Sequence, residues 1–279
     1  MPRVRVVSWN VNSLKARMPR VLEFLADVAP EVLCLQETKC EAAAFPVAEL
    51  RAAGYDAHHH SGGRWAGVAI LARTELGMEP GAQGLRGEHA PDEARWCEAT
   101  VAGLRIASTY VTNGRAVGTP TFAEKLGFLD AIAARAPALD VFVGDFNVAP
   151  ADLDLYDPAA FAGSTHVTPQ ERGRLEAILA TGFVDAHAYL HPGEQQFTWW
   201  DYRQGHFHRG LGLRIDLALV RRELSALLRS IGIARDYRKG AKPSDHAPLV
   251  VDLDAPGRPF ESGWADAVSR IQQRRARPS

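Results

Sequence analysis

Cysteine is scarce: the 279 residues contain three, Cys34, Cys40 and Cys97, with no C-x-x-C pair. That excludes a disulfide scaffold and fits a reducing compartment, so a cytoplasmic location is expected. Cys34 lies in the apolar run 32–35 and reads as a small buried thiol. Long apolar runs are also missing. Nothing approaches the ~20 residues that span a bilayer. The N-terminal run 4–9 is broken by Asn10 and Asn12, which excludes a signal peptide and leaves no membrane partner. Net charge is nearly absent, since 32 Lys and Arg face 33 Asp and Glu. Glycine (24) and proline (17) are too few for a low-complexity or collagen-like chain. What is present, 46% apolar and 23% charged residues, is the composition of a folded protein of one large or two small domains.

The small net charge hides an asymmetry. Residues 201–279 carry 15 cations and nine acids, and residues 1–200 carry 17 and 24. Residues 214–242 alone hold eight cations against three acids. Such a region can meet a polyanion. On charge alone, solvated loops and helix faces are the favoured reading.

Short β-rich runs alternate with amphipathic stretches along the whole chain. Residues 3–9 and 31–35 predict strands, and 18–28 a helix with Val21, Leu22, Leu25 and Val28 at helical spacing. Strand pairs are expected at 55–60 with 66–72 and at 95–101 with 104–112. Helices are expected at 121–135 and 169–181, and further strands at 140–143, 214–220, 230–235 and 248–253. Hairpins mixed with helical crossovers argue for mixed sheets with helices outside, not a purely parallel sheet. No linker divides the chain before about residue 254. The expected organisation is therefore a domain over 1–254 and a tail over 255–279. In the tail Trp264, Val268 and Ile271 form an apolar stripe expected to dock on the chain's own core, and the arginines at 274–277 read as a solvated end.

The chemical signal lies where carboxylates and amides interrupt apolar runs. Asn10 and Asn12 end the first strand, and Glu37 follows 33–36. Asp145 and Asn147 follow 141–144, Asp216 sits within 215–220, and Asp245 and His246 precede 248–251. A charge at the edge of a buried strand is costly unless it is paired or metal-bound. One such residue is an ordinary turn, but five instances from separate parts of the chain mark a site. Carboxylates and amides without a Cys/His cluster suit Mg²⁺ or Mn²⁺ better than Zn²⁺. A lone His beside Asp245 suits an imidazole aimed at a phosphate or a water.

At these positions the sequence resembles a known family. Ser8-Trp9-Asn10-Val11-Asn12-Ser13-Leu14-Lys15-Ala16-Arg17, Leu35-Gln36-Glu37-Thr38-Lys39, Gly144-Asp145-Phe146-Asn147-Val148-Ala149-Pro150, Gly212-Leu213-Arg214-Ile215-Asp216 and Ser244-Asp245-His246-Ala247-Pro248 resemble, in order, the motifs of the exodeoxyribonuclease III family of abasic-site endonucleases. The stretch Phe197-Thr198-Trp199-Trp200-Asp201-Tyr202-Arg203 looks specific to the DNA-repair branch of the wider endonuclease, exonuclease and phosphatase superfamily.

The resemblance implies an α/β (α+β) fold, a four-layer α/β sandwich of two mixed, mainly antiparallel sheets packed face to face with helices outside. It implies Mg²⁺-dependent cutting of duplex DNA 5′ to abasic sites, clearing of blocked 3′ ends and a variable 3′→5′ exonuclease, by a monomer. Glu37 looks like the principal metal ligand, with Asn10 and Asn12 nearby and Asp245 on the metal side. Asp145 looks like the group that orients or deprotonates water, and Asn147 like a donor to the phosphate. His246 looks like the imidazole at the scissile phosphate, oriented by Asp216. By the same token Asp145, Asn147 and His246 are also counted among the candidate metal-side residues. Tyr110 matches the family's active-site tyrosine, and Asn113 and Arg115 fall in its DNA-contacting loop. Trp199 and Leu213 are implied to line a pocket for the bare sugar. Basic residues of 214–242 together with Arg115 are then expected to grip phosphates on either side. The rival readings are a diesterase or phosphatase acting on a small phosphate ester, and a DNA-binding protein without catalysis.

Departures from the family pattern are few. Thr112 stands where Pro is usual, which would loosen the loop carrying Asn113 and Arg115. Ala66 stands where Asn is usual, and Ser13 where Gly is common. His58, His59 and His60 read as solvated strand-end residues, because neighbours on a strand face opposite sides and cannot chelate together. His206 and His208 sit in a Gly-flanked loop that suits a DNA-side contact better than ligation. Trp9 and Trp65 are expected in the core, and Trp199-Trp200 to divide between core and surface.

Overall fold

The computed structural model describes residues 3–88, 90 and 93–275, with side chains described as far as residue 270. Among the described residues, twelve strands form two six-stranded sheets. The first holds β1 (Val4–Asn10), β2 (Val32–Gln36), β3 (Tyr55–His60), β4 (Val68–Arg73), β11 (Leu228–Ile233) and β12 (Leu249–Leu253), in the order β11-β12-β1-β2-β4-β3. The second holds β5 (Glu79–Gln83), β6 (Trp96–Val101), β7 (Leu104–Tyr110), β8 (Val141–Asp145), β9 (Phe183–Asp185) and β10 (Asp216–Arg221), in the order β5-β6-β7-β8-β10-β9. Each sheet has one parallel pair, β1 with β2 and β7 with β8, and its other pairs are antiparallel.

Alternation along each strand divides the apolar side chains between layers. Val4, Val6, Val32, Cys34 and Ile70 meet Cys97, Ile106, Val141, Val143 and Ala218 between the sheets. The opposite faces of the same strands meet helices. Val7, Trp9, Leu33 and Leu35 pack under α1 (Leu14–Val28), through Met18, Val21, Phe24 and Leu25. Phe142, Leu217 and Leu219 pack under α3 (Pro120–Arg135) and α4 (Pro169–Ala180). The result is the expected four-layer α/β sandwich. Truncating one of the large buried side chains in these layers costs about 2–5 kcal/mol. Local sequence sets the helix starts. Thr119 caps α3 with Pro120 behind it, and Thr168 and Glu171 form a capping box on α4 with Pro169 at its first position.

Element types agree with the sequence reading, and boundaries move by a few residues. The largest shift is in α1, which starts at Leu14 instead of residue 18 because Leu14 already belongs to the buried stripe. Short helices were not expected at α2 (Val47–Ala52), α5 (Ala186–Leu190) and α6 (His206–Arg209). Strands β5 and β9 were also missed; they lie at the two ends of the second sheet, and β5 is exposed throughout, so its sequence carries no alternation.

Four expectations are corrected. Trp65 is 72% exposed and stacks under Arg64, because the turn before β4 carries it out of the sheet. His58, His59 and His60 are half-buried members of β3, held by Gly81 O, Ser61 Oγ and Trp96 O. In α7 (Trp264–Arg275) Trp264 docks on the core and Ala267 is buried, while Val268 is exposed, so the inward face runs from Trp264 to Ala267. The side chain of Ile271 and the structure of 276–279 lie outside the described residues. Of the eight cations in 214–242, Arg214, Arg235 and Arg238 are buried, Arg221 and Lys239 are half-buried, and Arg222, Arg229 and Lys242 are exposed. Arg214 is buried between Asp154 and Asp185, Arg221 donates to Leu139 O, and Arg235 and Arg238 are buried against aromatic rings. An arginine count cannot distinguish such buried forks from a polyanion-binding surface.

Candidate active site

Strand direction brings the polar residues together. Strands β1, β2, β7 and β8 end at one edge of the sandwich, and β10 and β12 begin there. The register pairs Tyr110 with Asp145 and Asp145 with Asp216. Glu37 follows β2 directly, and Asp245 and His246 lie just before β12. Gly144 lets β8 approach β7 closely, since a Cβ there would sit 2.0 Å from Thr109 O. Glu37 and Asn147 take positive φ (52° and 50°), which turns the chain away as soon as each side chain has been placed. Ser13, where Gly is common in the family resembled, has φ of 91°, a sparsely populated conformation that costs a non-glycine residue about 1–3 kcal/mol.

The side chains form a connected set. Asn10 Nδ2 donates to Glu37 Oε1 (2.8 Å) and Asp145 Oδ2 (3.0 Å). Lys39 Nζ pairs with Glu37 Oε2 (2.6 Å) and donates to Asn12 Oδ1 (2.7 Å). Asn12 Nδ2 donates to Asp245 Oδ1 (3.1 Å), and Trp199 Nε1 donates to Asp245 Oδ2 (3.0 Å). Asp145 Oδ1 accepts from the Asn147 backbone, and Asn147 Nδ2 donates to Val111 O. His246 Nδ1 bonds Asp216 Oδ2 (2.8 Å), which leaves Nε2 facing Asp145 Oδ2 at 3.6 Å. Tyr110 lies under Arg95, 5.0 Å from the ring centre.

Electrostatics follow from this burial. Burial pushes Asp145 up to about 8, with Asp216 and Glu37 adding and His246 opposing. Burial would lower His246, but Asp216, then Asp145, more than reverse it and hold the imidazole up at about 10. Burial raises Asp245, yet His246 and the donors Trp199 and Asn12 keep it below the usual carboxylate range. Burial, then Glu37 and Asp145, raises Tyr110 well above the ordinary phenol.

Glu37, Asp145 and His246 each bring one ligand atom within 4.8 Å of the others. The Asn10 amide lies between the two carboxylates, and Lys39 balances the outer one. The two carboxylates and the Asn10 amide fit a hard divalent cation, whose charge would replace the amide and ammonium contacts now made to Glu37 and Asp145, while the His246 imidazole, held by Asp216, stays outside the ligand set.

A cleft of about 160 Å³ opens on this set, lined by Glu37, Tyr110, Asn113, Asp145, Asn147, His166, Trp199, Ile215, Asp245 and His246. Most residues expected from the sequence therefore share one space. Arg115 is exposed on the adjoining loop, and Asn12 stands behind Asp245. Leu213 is buried beneath Trp199, and Ile215 reaches the cleft in its place. The loop carrying Asn113 is not loose despite Thr112: Lys125 Nζ and Thr165 Oγ1 both donate to Asn113 O.

The sequence reading missed three groups. Lys39 stands two residues beyond Glu37 and entered only as part of the motif. Lys125 is a fully buried lysine paired with Glu171 that also donates to Asn147 O (2.7 Å), holding two site loops from below. Its sign was a lysine on the apolar face of α3. His166 lines the cleft with φ of 79°, and burial, then Lys125, lowers its imidazole to about 4. No motif pointed to it.

Two mixed sheets with carboxylates, amides and a carboxylate-held imidazole at the converging strand ends define a hydrolase of phosphate esters. The chain belongs to the Endonuclease/Exonuclease/phosphatase family, whose pattern matches residues 7–246. It is 28% identical to exodeoxyribonuclease III of Haemophilus influenzae over 269 residues, covering 90% of this chain and all of that protein. Among solved structures, an AP endonuclease from Archaeoglobus fulgidus matches with a TM-score of 0.86 and 32% identity, over 90% of this chain and all of that one. A 3′ phosphatase, NExo, from Neisseria, bound to product DNA hairpin, matches with a TM-score of 0.83 and 34% identity, again over 90% and 100%.

Proposed function

We propose that this protein is a DNA repair nuclease that hydrolyses the phosphodiester 5′ to abasic sites in duplex DNA and removes blocking groups from 3′ ends, with 3′→5′ exonuclease activity of variable strength. The reading rests on one observation: the phosphoester-cleaving set and the Trp199–Ile215 wall share the same cleft. The relatives and neighbours named for exodeoxyribonuclease III, AP endonuclease and 3′ phosphatase support it. Mg²⁺ is the proposed ion, with Mn²⁺ as substitute, held by Glu37 with Asn10 and Asp145 adjacent and Asp245 on the same side. Bound there, such an ion would supply the charge that polarises the phosphate and steadies the leaving 3′ oxygen.

Asp145 lines the cleft beside the proposed ion and faces His246 Nε2, a place that suits a base taking the proton of the attacking water. Asn147 donates to a phosphate oxygen. His246 is kept cationic by Asp216 and presents Nε2–H to the developing charge. Tyr110 stands beside Glu37 and Asp145 as a further donor. Trp199, fixed by Asp245, forms the apolar wall for a sugar that has no base, with Leu213 supporting it from behind. An abasic sugar leaves the stack at reduced cost and enters the narrow cleft more readily than a full nucleotide. Asn113 and Arg115 grip the flanking phosphates. The enzyme acts as a cytoplasmic monomer on double-stranded DNA, with residues 255–279 as a tail to the domain of 1–254.

The test is a duplex with one stable abasic analogue and a second with a 3′-phosphate at a nick, each incubated with and without Mg²⁺. A single nick on the 5′ side of the lesion and release of phosphate, both requiring the metal, are expected. Hydrolysis of small phosphate esters with no action on either duplex would overturn the reading.

A further inference from the structure

The His166 imidazole makes two side-chain hydrogen bonds that join separate loops of the cleft. Its Nδ1 lies 2.6 Å from Asn147 O, and its Nε2 lies 3.1 Å from Asn113 Nδ2. A carbonyl oxygen only accepts, so Nδ1 carries the proton. In a neutral ring Nε2 is then an acceptor, which fixes the Asn113 amide with its NH₂ toward the ring. The Asn113 Oδ1 is engaged on its other side, accepting from the Arg115 backbone N–H. One Nδ2 hydrogen thus meets the ring and the second is left for the cleft.

The backbone of His166 is held as firmly as its ring. Its N–H donates to Glu171 Oε1 (2.9 Å), and its carbonyl accepts from Ala149 N (2.9 Å). It is held at φ of 79°, where glycine would sit without strain. A β-carbon kept in that conformation, carrying a ring with both nitrogens engaged inside the cleft, marks a side chain used for more than filling space.

We propose that His166 is a positioning residue: through Nε2 it sets the Asn113 amide so that one N–H points into the cleft, toward a phosphate of the DNA strand being cut. The inference rests on the reading of Asn113 as a DNA contact, and the test separates the two. His166→Gly removes the ring and relieves the strained φ, so it is expected to melt no lower than the wild type. His166→Asn keeps a donor for Asn147 O and loses the acceptor for Asn113. His166→Gln places an amide oxygen where Nε2 was.

The Asn113 side-chain amide is followed by heteronuclear NMR without substrate. KM and kcat are measured on the abasic duplex and on the 3′-phosphate duplex. Slow-exchanging Asn113 amide protons are expected in the wild type and the Gln variant and lost in the Gly and Asn variants. KM should rise about three- to tenfold in the latter two, the worth of one oriented hydrogen bond, with a smaller change in kcat. An unchanged Asn113 signal in His166→Gly overturns the proposal whatever the enzyme cuts. So do equal losses in the Gln and Asn variants, which would mean that the ring acts only by bulk. A signal that moves while KM on both duplexes stays constant would instead refute Asn113 as a DNA contact.

Discussion

Replacing Asp216 by Asn is nearly isosteric, and Asn can still accept the His246 Nδ1–H bond. The substitution therefore removes a charge while keeping the ring's tautomer and direction. At 2.8 Å and an effective dielectric constant of ~20, the lost attraction is about 6 kcal/mol before desolvation. The rise of His246 from the ordinary 6.5 to about 10 corresponds to roughly 5 kcal/mol of preference for the cation, the same order. A histidine whose pKa is raised on folding contributes stability that is fully present below 6.5 and is lost as the pH climbs through about 10. In Asp216→Asn the largest charge opposing burial is gone, so the His246 pKa should fall, with Asp145 and Asp245 still holding it up in part. NMR titration of the His246 ring protons, in EDTA so that no cation intervenes, reads this directly. A wild-type ring titrating near its ordinary 6.5 would refute the reasoning. So would an Asp216→Asn variant in which the His246 ring titrates no lower than in the wild type. Turnover should fall by ~10²–10⁴ if the cation meets developing charge. His246→Asn should cost a similar factor, and the double variant far less than the product of the two.

Glu37→Gln should keep the fold and DNA affinity, lower the rate by orders of magnitude and raise the Mg²⁺ needed for half activity; full activity of this variant in EDTA would exclude the ligand assignment. Trp199→Ala should reduce the preference for abasic over intact duplex. It should leave the dependence of affinity on salt nearly unchanged, because the ring carries no charge, and retention of the full preference would mean that specificity comes from elsewhere. Lys125→Met leaves Glu171 buried without its partner and should destabilise by about 3–5 kcal/mol in urea or thermal unfolding. A loss below about 1 kcal/mol would show that the pair does not support the two loops.

The sequence alone determined mixed sheets with helices outside and most of the candidate site, and the family resemblance supplied the four layers. Alternation in β1 assigns Val4 and Val6 to one face and Val7 and Trp9 to the other, and Thr168-Pro169 with Glu171 marks where α4 begins. Carboxylates that end apolar strands gave Glu37, Asp145, Asp216, Asp245 and His246, since a charge at a buried edge is expensive and has few explanations. Only the tertiary structure decided which cations are free. Arg214 finds Asp154 and Asp185 across 60 and 29 residues, contacts that local patterning cannot contain. It also decided that Ile215, not Leu213, reaches the cleft. His166 meets Asn113 from 53 residues away, at the point where the chain closes over the strand ends. Periodicity and charge burial are short-range facts that one strand or helix can display. The orientation of an amide or a guanidinium depends on which distant carbonyl or carboxylate the closed fold brings beside it.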